Sequence, residues 1–428
     1  MRKKILAILM VMALAVTMLP GMVFAEGNAV TVAVENGASS DKATVAEAVA
    51  AVPKNGTATI TLKENFTGGG VVVGDGKNIT FDLRGYTWDI TSLVGSAGTE
   101  TNGMQLLKGS TVTIKNGTIT SNVAKILIQN YSNLTLDGVE LTLTGANARL
   151  AVSNNNGTTV IKNGTEVNVP AGIIAFDSDK WEPYDGGNVT LEDGTINGNV
   201  DVTNGGKAEI KGGTVTGDVK AYNYNDKNYG QTAASLILSG GTIIGNVIAE
   251  DKGDITISGS TIKGDVSAAG ADEGAAGIKI TSGIVHGSIL EAAIEGNHVD
   301  IANKDGAVSF IGQAVIDKAL KNTKPGDTVT ILSATEGANF NVPEGVQVIN
   351  DQEAGNVTVN GGTLAPGEKL LAPGTGPVDE QKNNGTSSTS GAVKTGDDTN
   401  ILLFAGLALA ALMAMAAIFF VRRQGQQK

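Results

Sequence analysis

Two polar segments of the chain combine aromatic and carboxylate side chains, residue types that suit the recognition of sugars. They read AFDSDKWEPYDGG, from Ala175, and AYNYNDKNYGQ, from Ala221. Aromatic rings stack on sugar rings, and nearby carboxylates accept hydrogen bonds or hold Ca²⁺. The pattern predicts a ligand-binding site; the alternative is that these aromatics pack against their own fold. The candidate residues are Trp181, Tyr184, Tyr222, Tyr224, Tyr229, Asp179, Glu182 and Asp185.

The rest of the sequence has no recognisable catalytic constellation. Cysteine is absent, which excludes thiolate chemistry and Cys-based metal sites. The two histidines, His286 and His298, are too few and too separate for a metal site. Arg84 and Arg149 have no carboxylate cluster beside them in sequence. The sequence therefore predicts a protein that is not an enzyme and has no metal or cofactor.

Both ends of the chain are predicted to be targeting segments. Residues 1–25 have a basic start, an apolar run and a small-residue site, which predicts a signal peptide cleaved between Ala25 and Glu26. The run 401–421 is 21 residues without a charge, long enough to cross a membrane. Basic residues after it place the bulk of the chain outside the cell. The alternatives are an uncleaved N-terminal anchor and a buried C-terminal helix.

The pentapeptide AVKTG stands just before the C-terminal apolar run. It resembles the Leu-Pro-x-Thr-Gly sorting signal of Gram-positive surface proteins, with Thr395 and Gly396 in place and Lys394 at the variable position. In that family sortase, a cysteine transpeptidase, cuts between Thr and Gly and joins the Thr to peptidoglycan. The resemblance implies attachment of Thr395 to the cell wall. Ala392 and Val393 replace the usual Leu and Pro, so a plain single-pass membrane anchor is the alternative.

A repeated segment indicates the architecture that must position these residues. In each copy two alternating apolar positions lead to a Gly-containing turn, then to an apolar residue, a polar residue, a Gly and a second alternating pair. Stacked coils about 4.8 Å apart would bury the apolar face of each copy. Fixed units with variable insertions are typical of a solenoid, whereas a β-sandwich or a string of small β domains is the alternative. The clearest copies begin at Asn188, Lys207, Ser235, Asp254 and Gly277.

From Val30 to Gly362 this pattern resembles the pectin-lyase-like β-helices of Gram-positive surface proteins. The resemblance implies an all-β, right-handed parallel β-helix with short capping helices. The insertions fall at the same phase of the repeat, so the two aromatic segments are expected on one side, about 10 Å apart.

Domain boundaries follow from where the repeat starts and stops. Thr44, with Glu47 three residues later, predicts the N-terminus of a short helix over the first coil. A second helix-to-strand arrangement after residue 306 predicts a unit that either closes the stack or stands apart. The predicted domains are the signal peptide at 1–25, the β-helix with its N-terminal cap at 26–305, a small capping β unit at 306–362, a disordered spacer at 363–391, and the sorting-signal-like segment with its transmembrane helix at 392–428.

Together these features predict an exported, surface-anchored, adhesin-like protein that binds a carbohydrate or matrix ligand. The net charge of −12 argues against a nucleic-acid partner. The expected partners are sortase, peptidoglycan and the membrane. The alternatives are a polysaccharide lyase or glycoside hydrolase built on the β-helix, and a passive surface spacer or coat protein.

Overall fold

The computed structural model describes residues 29–372, except 97, 99, 177–186, 225–231, 272–276 and 354. Within this part the chain forms a parallel β-solenoid of about 12 turns, right-handed in type, with two short helices. This confirms the all-β solenoid predicted from the repeats and is compatible with a pectin-lyase-like β-helix. The predicted signal peptide, sorting segment and membrane span lie outside the described residues.

Two strands and a helix cover the first coil. Thr44 caps the helix, because its hydroxyl accepts a hydrogen bond from the Glu47 N–H at 3.1 Å. The Glu47 carboxylate accepts in turn from the Ala43 N–H at 3.1 Å. The N-cap predicted from sequence is therefore present. The elements are β1 (Val30–Val34), β2 (Ser40–Lys42) and α1 (Val45–Ala51), with β1 antiparallel to β2.

Ten coils follow in the described chain, each crossing three faces of the solenoid. In the third and fourth coils one long strand bends across the first two faces. The strands are, coil by coil, β3 (Thr57–Leu62), β4 (Phe66–Gly69), β5 (Val71–Val73); β6 (Asn78–Asp82), β7 (Thr87–Ser92), β8 (Asn102–Leu106); β9 (Thr111–Ser121), β10 (Ile126–Asn130); β11 (Asn133–Leu143), β12 (Leu150–Asn155); β13 (Thr158–Lys162), β14 (Thr165–Asn168), β15 (Ile173–Phe176); β16 (Asn188–Leu191), β17 (Gly194–Ile196), β18 (Val200–Thr203); β19 (Lys207–Ile210), β20 (Thr214–Val215), β21 (Val219–Tyr222); β22 (Ala234–Leu238), β23 (Thr242–Ile243), β24 (Val247–Asp251); β25 (Gly253–Ile257), β26 (Thr261–Ile262), β27 (Val266–Ala271); β28 (Ile278–Ile280), β29 (Gly283–Val285), β30 (Ile289–Leu290).

The interior of the solenoid is filled by columns of apolar side chains. Alternate residues of each strand point inward, and parallel pairing in register places equivalent residues of successive coils directly above one another. The third face is a ten-stranded sheet that runs from β5 to β30. One column of the first face consists of the buried residues Phe81, Ile114, Leu136, Ile161, Leu191, Ile210, Leu238, Ile257 and Ile280.

The corner between the second and third faces carries a ladder of alternating amide and carboxylate side chains. Asn199 Oδ1 accepts from the Asp218 N–H at 3.0 Å, and Asp218 Oδ1 accepts from the Asn246 N–H at 2.9 Å. Asn246 Oδ1 then accepts from the Asp265 N–H, and Asp265 Oδ1 from the Ser288 N–H, at 2.9 and 2.8 Å. Each side chain thus satisfies a backbone donor of the next coil. The alternation keeps the two carboxylates two coils apart.

The first face ends in a row of alternating charge. Asp82, Lys115, Asp137 and Lys162 stand opposite one another on successive coils. Lys115 lies 3.6 Å from Asp82 and Lys162 lies 3.7 Å from Asp137. Opposite charges on neighbouring strands favour this register, and a one-residue slip would lose the pairs.

The last coil leads into a unit with its own core. Strand β31 (Ala293–Ile294) extends the first face, and β33 (Gly306–Ile311) pairs antiparallel with β29, so the unit is joined directly to the stack. Its core residues run from Val299 to Ala372. This core therefore includes residues on both sides of the predicted range of 306–362. Its elements are β32 (His298–Asn303), β33 (Gly306–Ile311), α2 (Gln313–Leu320), β34 (Thr328–Ser333), β35 (Asn339–Phe340), β36 (Gln347–Asn350), β37 (Val357–Val359), β38 (Gly362–Leu364) and β39 (Lys369–Leu371).

We expect Asn246→Asp to destabilise the solenoid. The substitution removes the amide that donates to Asp218 Oδ1 at 3.1 Å, and it places three carboxylates on consecutive coils. We expect a loss of about 1–3 kcal/mol in the free energy of unfolding at pH 7. Denaturant unfolding at this pH measures the effect. Asn133→Asp, on the exposed first face between threonines, is the matched control; an equal loss there would contradict the ladder explanation.

Candidate functional site

Two of the predicted ligand-binding residues, Tyr222 and Tyr224, form an edge-to-face aromatic pair on the third face. Tyr222 ends β21, and Tyr224 lies two residues later with 42% of its surface exposed. Their rings meet edge to face with centroids 5.2 Å apart, and their hydroxyl oxygens are 3.0 Å apart. Asn204 of the preceding coil accepts from the Tyr224 N–H at 2.9 Å and donates to its carbonyl oxygen at 3.0 Å. The exposed ring of Tyr224 is therefore held in a fixed position.

Tyr224 lines a groove that runs along the outer surface of the third face. The groove consists of two neighbouring cavities of about 780 and 270 Å³, which share Arg149, Leu150, Ile174 and Tyr224. Leu150 is the first residue of β12, and Ile174 lies within β15. The apolar lining therefore comes from strands of adjacent coils. An apolar surface with a few charged groups is typical of a ligand-binding site.

The aromatic residues of this face recur at a regular interval. Strand register places Tyr131, Phe176 and Tyr222 in one outward row, each separated from the next by one intervening coil. Two coils span about 10 Å.

Burial raises the pKa of Tyr222 well above its usual range, and the hydrogen bond to Tyr224 raises it further. The hydroxyl of Tyr222 therefore stays protonated at any physiological pH.

One carboxyl group in the groove has an unusual titration. Asp201 lies on β18 between Ile174 of β15 and Lys220 of β21, and it lines the larger cavity with Arg149. Burial raises the pKa of Asp201 to about 6; Lys220 opposes this shift, while Asp218 and Glu250 add to it. This carboxyl group therefore gains and loses its proton near pH 6, whereas an exposed aspartate is fully ionised at that pH.

The other predicted binding residues fall outside the described part of the chain. Trp181, Tyr184, Asp179, Glu182 and Asp185 belong to 177–186, and Tyr229 belongs to 225–231. The first segment follows Phe176 at the end of β15, and the second follows Tyr224. Both therefore depart from third-face strands, at the phase expected from the repeats. The sorting residues Ala392, Val393, Lys394, Thr395 and Gly396, and the signal cleavage site Ala25–Glu26, also lie outside the described residues.

Nothing in the sequence indicated that Asp201 and Arg149 line the same cavity. They are distant along the chain and share this cavity only because their coils are stacked. Arg84, in contrast, lies exposed at a corner with φ 53°. Within the described residues no group of three or more His, Cys, Asp or Glu side chains is placed to hold a metal ion. No described helix is long and apolar enough to span a membrane.

Comparisons of the chain with protein-family models, with curated proteins and with solved structures gave no match.

We expect Asp201→Asn to stabilise the protein at neutral pH. The folded-state pKa of about 6 exceeds the ordinary aspartate pKa of 3.8, so the folded state binds the proton more tightly than the unfolded state. The free energy of unfolding should therefore fall as pH rises from about 4 to 6, by about 2–3 kcal/mol. Unfolding measured at pH 4 and pH 7.5 should show a gain for the variant at pH 7.5 only. Asp254→Asn, on the first face, is the control; a gain of the same size there would contradict the assignment.

Proposed function

We propose that this protein is an exported surface protein whose solenoid binds an extended glycan along the groove of the third face. The observation that carries this proposal is the Tyr222–Tyr224 pair, fixed by Asn204 above a groove with an apolar floor. A rigid, partly exposed aromatic ring offers a stacking surface for a sugar ring at low entropic cost.

The spacing of the aromatic residues on the third face favours a polymer over a single sugar as the ligand. Aromatic residues recur every two coils, from Tyr131 through Phe176 to Tyr222, so successive stacking positions lie along one line. A chain lying along the stack would meet aromatic surface at intervals of about 10 Å. Arg149 and Lys220 supply hydrogen-bond donors beside that line. The aromatic and acidic residues predicted in 177–186 and 225–231 are proposed to contribute further contacts.

Tyr224→Ala should weaken glycan binding by about tenfold, because it removes the exposed stacking ring. Binding is measured by affinity electrophoresis of the purified protein through a panel of neutral and acidic polysaccharides. Tyr86→Ala, which removes a similarly exposed tyrosine from another corner, should leave binding unchanged. Trp181→Ala should weaken binding in the same assay. Equal retardation of all four proteins would overturn the proposal and favour a passive surface spacer.

Surface attachment is proposed from the chain ends. A signal peptide ending at Ala25 would export the chain, the residues that follow 372 would act as a spacer, and AVKTG would be cut by sortase between Thr395 and Gly396. The apolar run 401–421 would hold the chain at the membrane until cleavage. The protein would then face the outside, either joined to the cell wall or tethered by one span.

Mass spectrometry of muramidase-released protein tests this attachment. We expect a C-terminal peptide that ends at Thr395 and carries a peptidoglycan cross-bridge fragment. Thr395→Ala should abolish that peptide and shift the protein to the membrane fraction. Recovery of an intact C-terminus from the membrane of wild-type cells would instead support a plain single-pass anchor.

A second candidate function is glycan cleavage, which the environment of Asp201 favours. A partly buried carboxyl group with a pKa of about 6, in a groove with Arg149, has the properties of a general acid or base. If the protein cleaves its ligand, Asp201→Asn should abolish release of reducing or unsaturated ends while leaving binding intact. Unchanged polysaccharide after prolonged incubation with wild-type protein would leave binding as the function.

A further inference from the structure

A separate cavity of about 470 Å³ lies at the corner between the second and third faces. It shares Lys125, Ala148 and Arg149 with the groove, but its other walls belong to three successive corner segments. Four of the lining residues are aliphatic, and the described residues that line the cavity include no aromatic side chain. The lining residues besides the two cations are Leu93, Glu100, Thr101, Val123, Ala146, Asn147 and Ala148.

The corner segments hold this cavity in a fixed shape. The Lys125 N–H donates to the Thr101 carbonyl, and the Arg149 N–H donates to the Lys125 carbonyl, each at 2.9 Å. Thr101, Lys125 and Arg149 therefore occupy the same position on three successive coils. Buried Ser121 accepts from the Val123 N–H at 3.3 Å and donates to the Ile90 carbonyl at 2.7 Å, which anchors the middle segment to the solenoid.

The charge pattern at this position differs from that of the first face. There, Asp82, Lys115, Asp137 and Lys162 alternate in sign. Here two cations stand on adjacent coils, an arrangement that is destabilising on its own.

Within the described part of the chain, neither Lys125 nor Arg149 forms an ion pair. Glu100, the one carboxylate among the lining residues, accepts from the Gly98 N–H at 3.1 Å and forms no ion pair with either cation. An acidic protein of net charge −12 thus places two cations, neither of them in an ion pair, on the walls of one cavity. Such local violations of the pattern followed elsewhere are expected at functional sites.

We propose that this corner cavity binds the free carboxyl end of a short peptide with small aliphatic side chains. Arg149 offers a planar pair of donors that matches a carboxylate, and Lys125 adds a second positive charge. Leu93, Val123 and Ala146 provide an aliphatic wall for the peptide body. The volume is sufficient for a ligand of a few residues. A sugar acid is a poorer fit, because the cavity lacks the aromatic surface that the groove has.

The test uses the full-length protein and four probes: N-acetyl-Ala-Ala, its C-terminal amide, inorganic phosphate and glucuronic acid. Isothermal titration calorimetry should detect the free acid and show at least tenfold weaker binding of each other probe. Lys125→Met should weaken binding of the free acid at least fivefold. Val123→Trp should abolish that binding by filling the cavity, and it is expected to fold because Val123 is 43% exposed.

Tyr224→Ala is the matched control, because Tyr224 lines the groove and not this cavity. It should leave binding of the dipeptide unchanged, so that failure of this proposal and failure of the groove proposal remain distinguishable. Equal binding of the amide, or equally tight binding of phosphate or glucuronic acid, would overturn the peptide assignment. So would loss of dipeptide binding in Tyr224→Ala, or no binding of the dipeptide at millimolar concentration.

Discussion

Pairing of each coil with the next, at the strand spacing of about 4.8 Å, is the constraint on which the rest of this structure depends. A single coil cannot bury its inward side chains or satisfy its backbone groups, so each coil is stable only between two neighbours. Because the strands pair in register, residues at equivalent positions of successive repeats lie directly above one another. The buried column that includes Phe81 and Ile114, the ladder of Asn199 and Asp218, and the row of aromatics on the third face all arise in this way.

The repeats explain which features were predictable. Alternating apolar residues and Gly-containing turns predicted the solenoid, and the common phase of the insertions predicted that the aromatic segments leave the same face. The N-cap at Thr44 was also readable, because it is a local signal. The core of the terminal unit includes residues on both sides of the predicted range. The hairpin of β32 and β33 and the strand β39 pair antiparallel and follow no repeat, so they carried no signal of their own.

Asp201, Arg149 and Lys125 were missed for a different reason. Which residues become neighbours depends on the number of residues in each coil, and coil length varies along this chain. Sequence separation therefore says little about distance in such a fold. A row of residues at equal phase would have revealed that Lys125 and Arg149 are adjacent cations, but only after the alignment of corner segments of unequal length. Charged residues in irregular corners are the hardest part of a solenoid to place from sequence.

Both ends of the stack change strand direction, and this limits how the molecule can grow. An uncovered coil is a template for another parallel coil, whether from the same chain or from a second molecule. Here β1 runs antiparallel to β3 at one end, and β33 runs antiparallel to β29 at the other. The third face ends in β30, which is only two residues long. Coil-on-coil polymerisation into fibres is thereby disfavoured, and each molecule presents a finite length of solenoid.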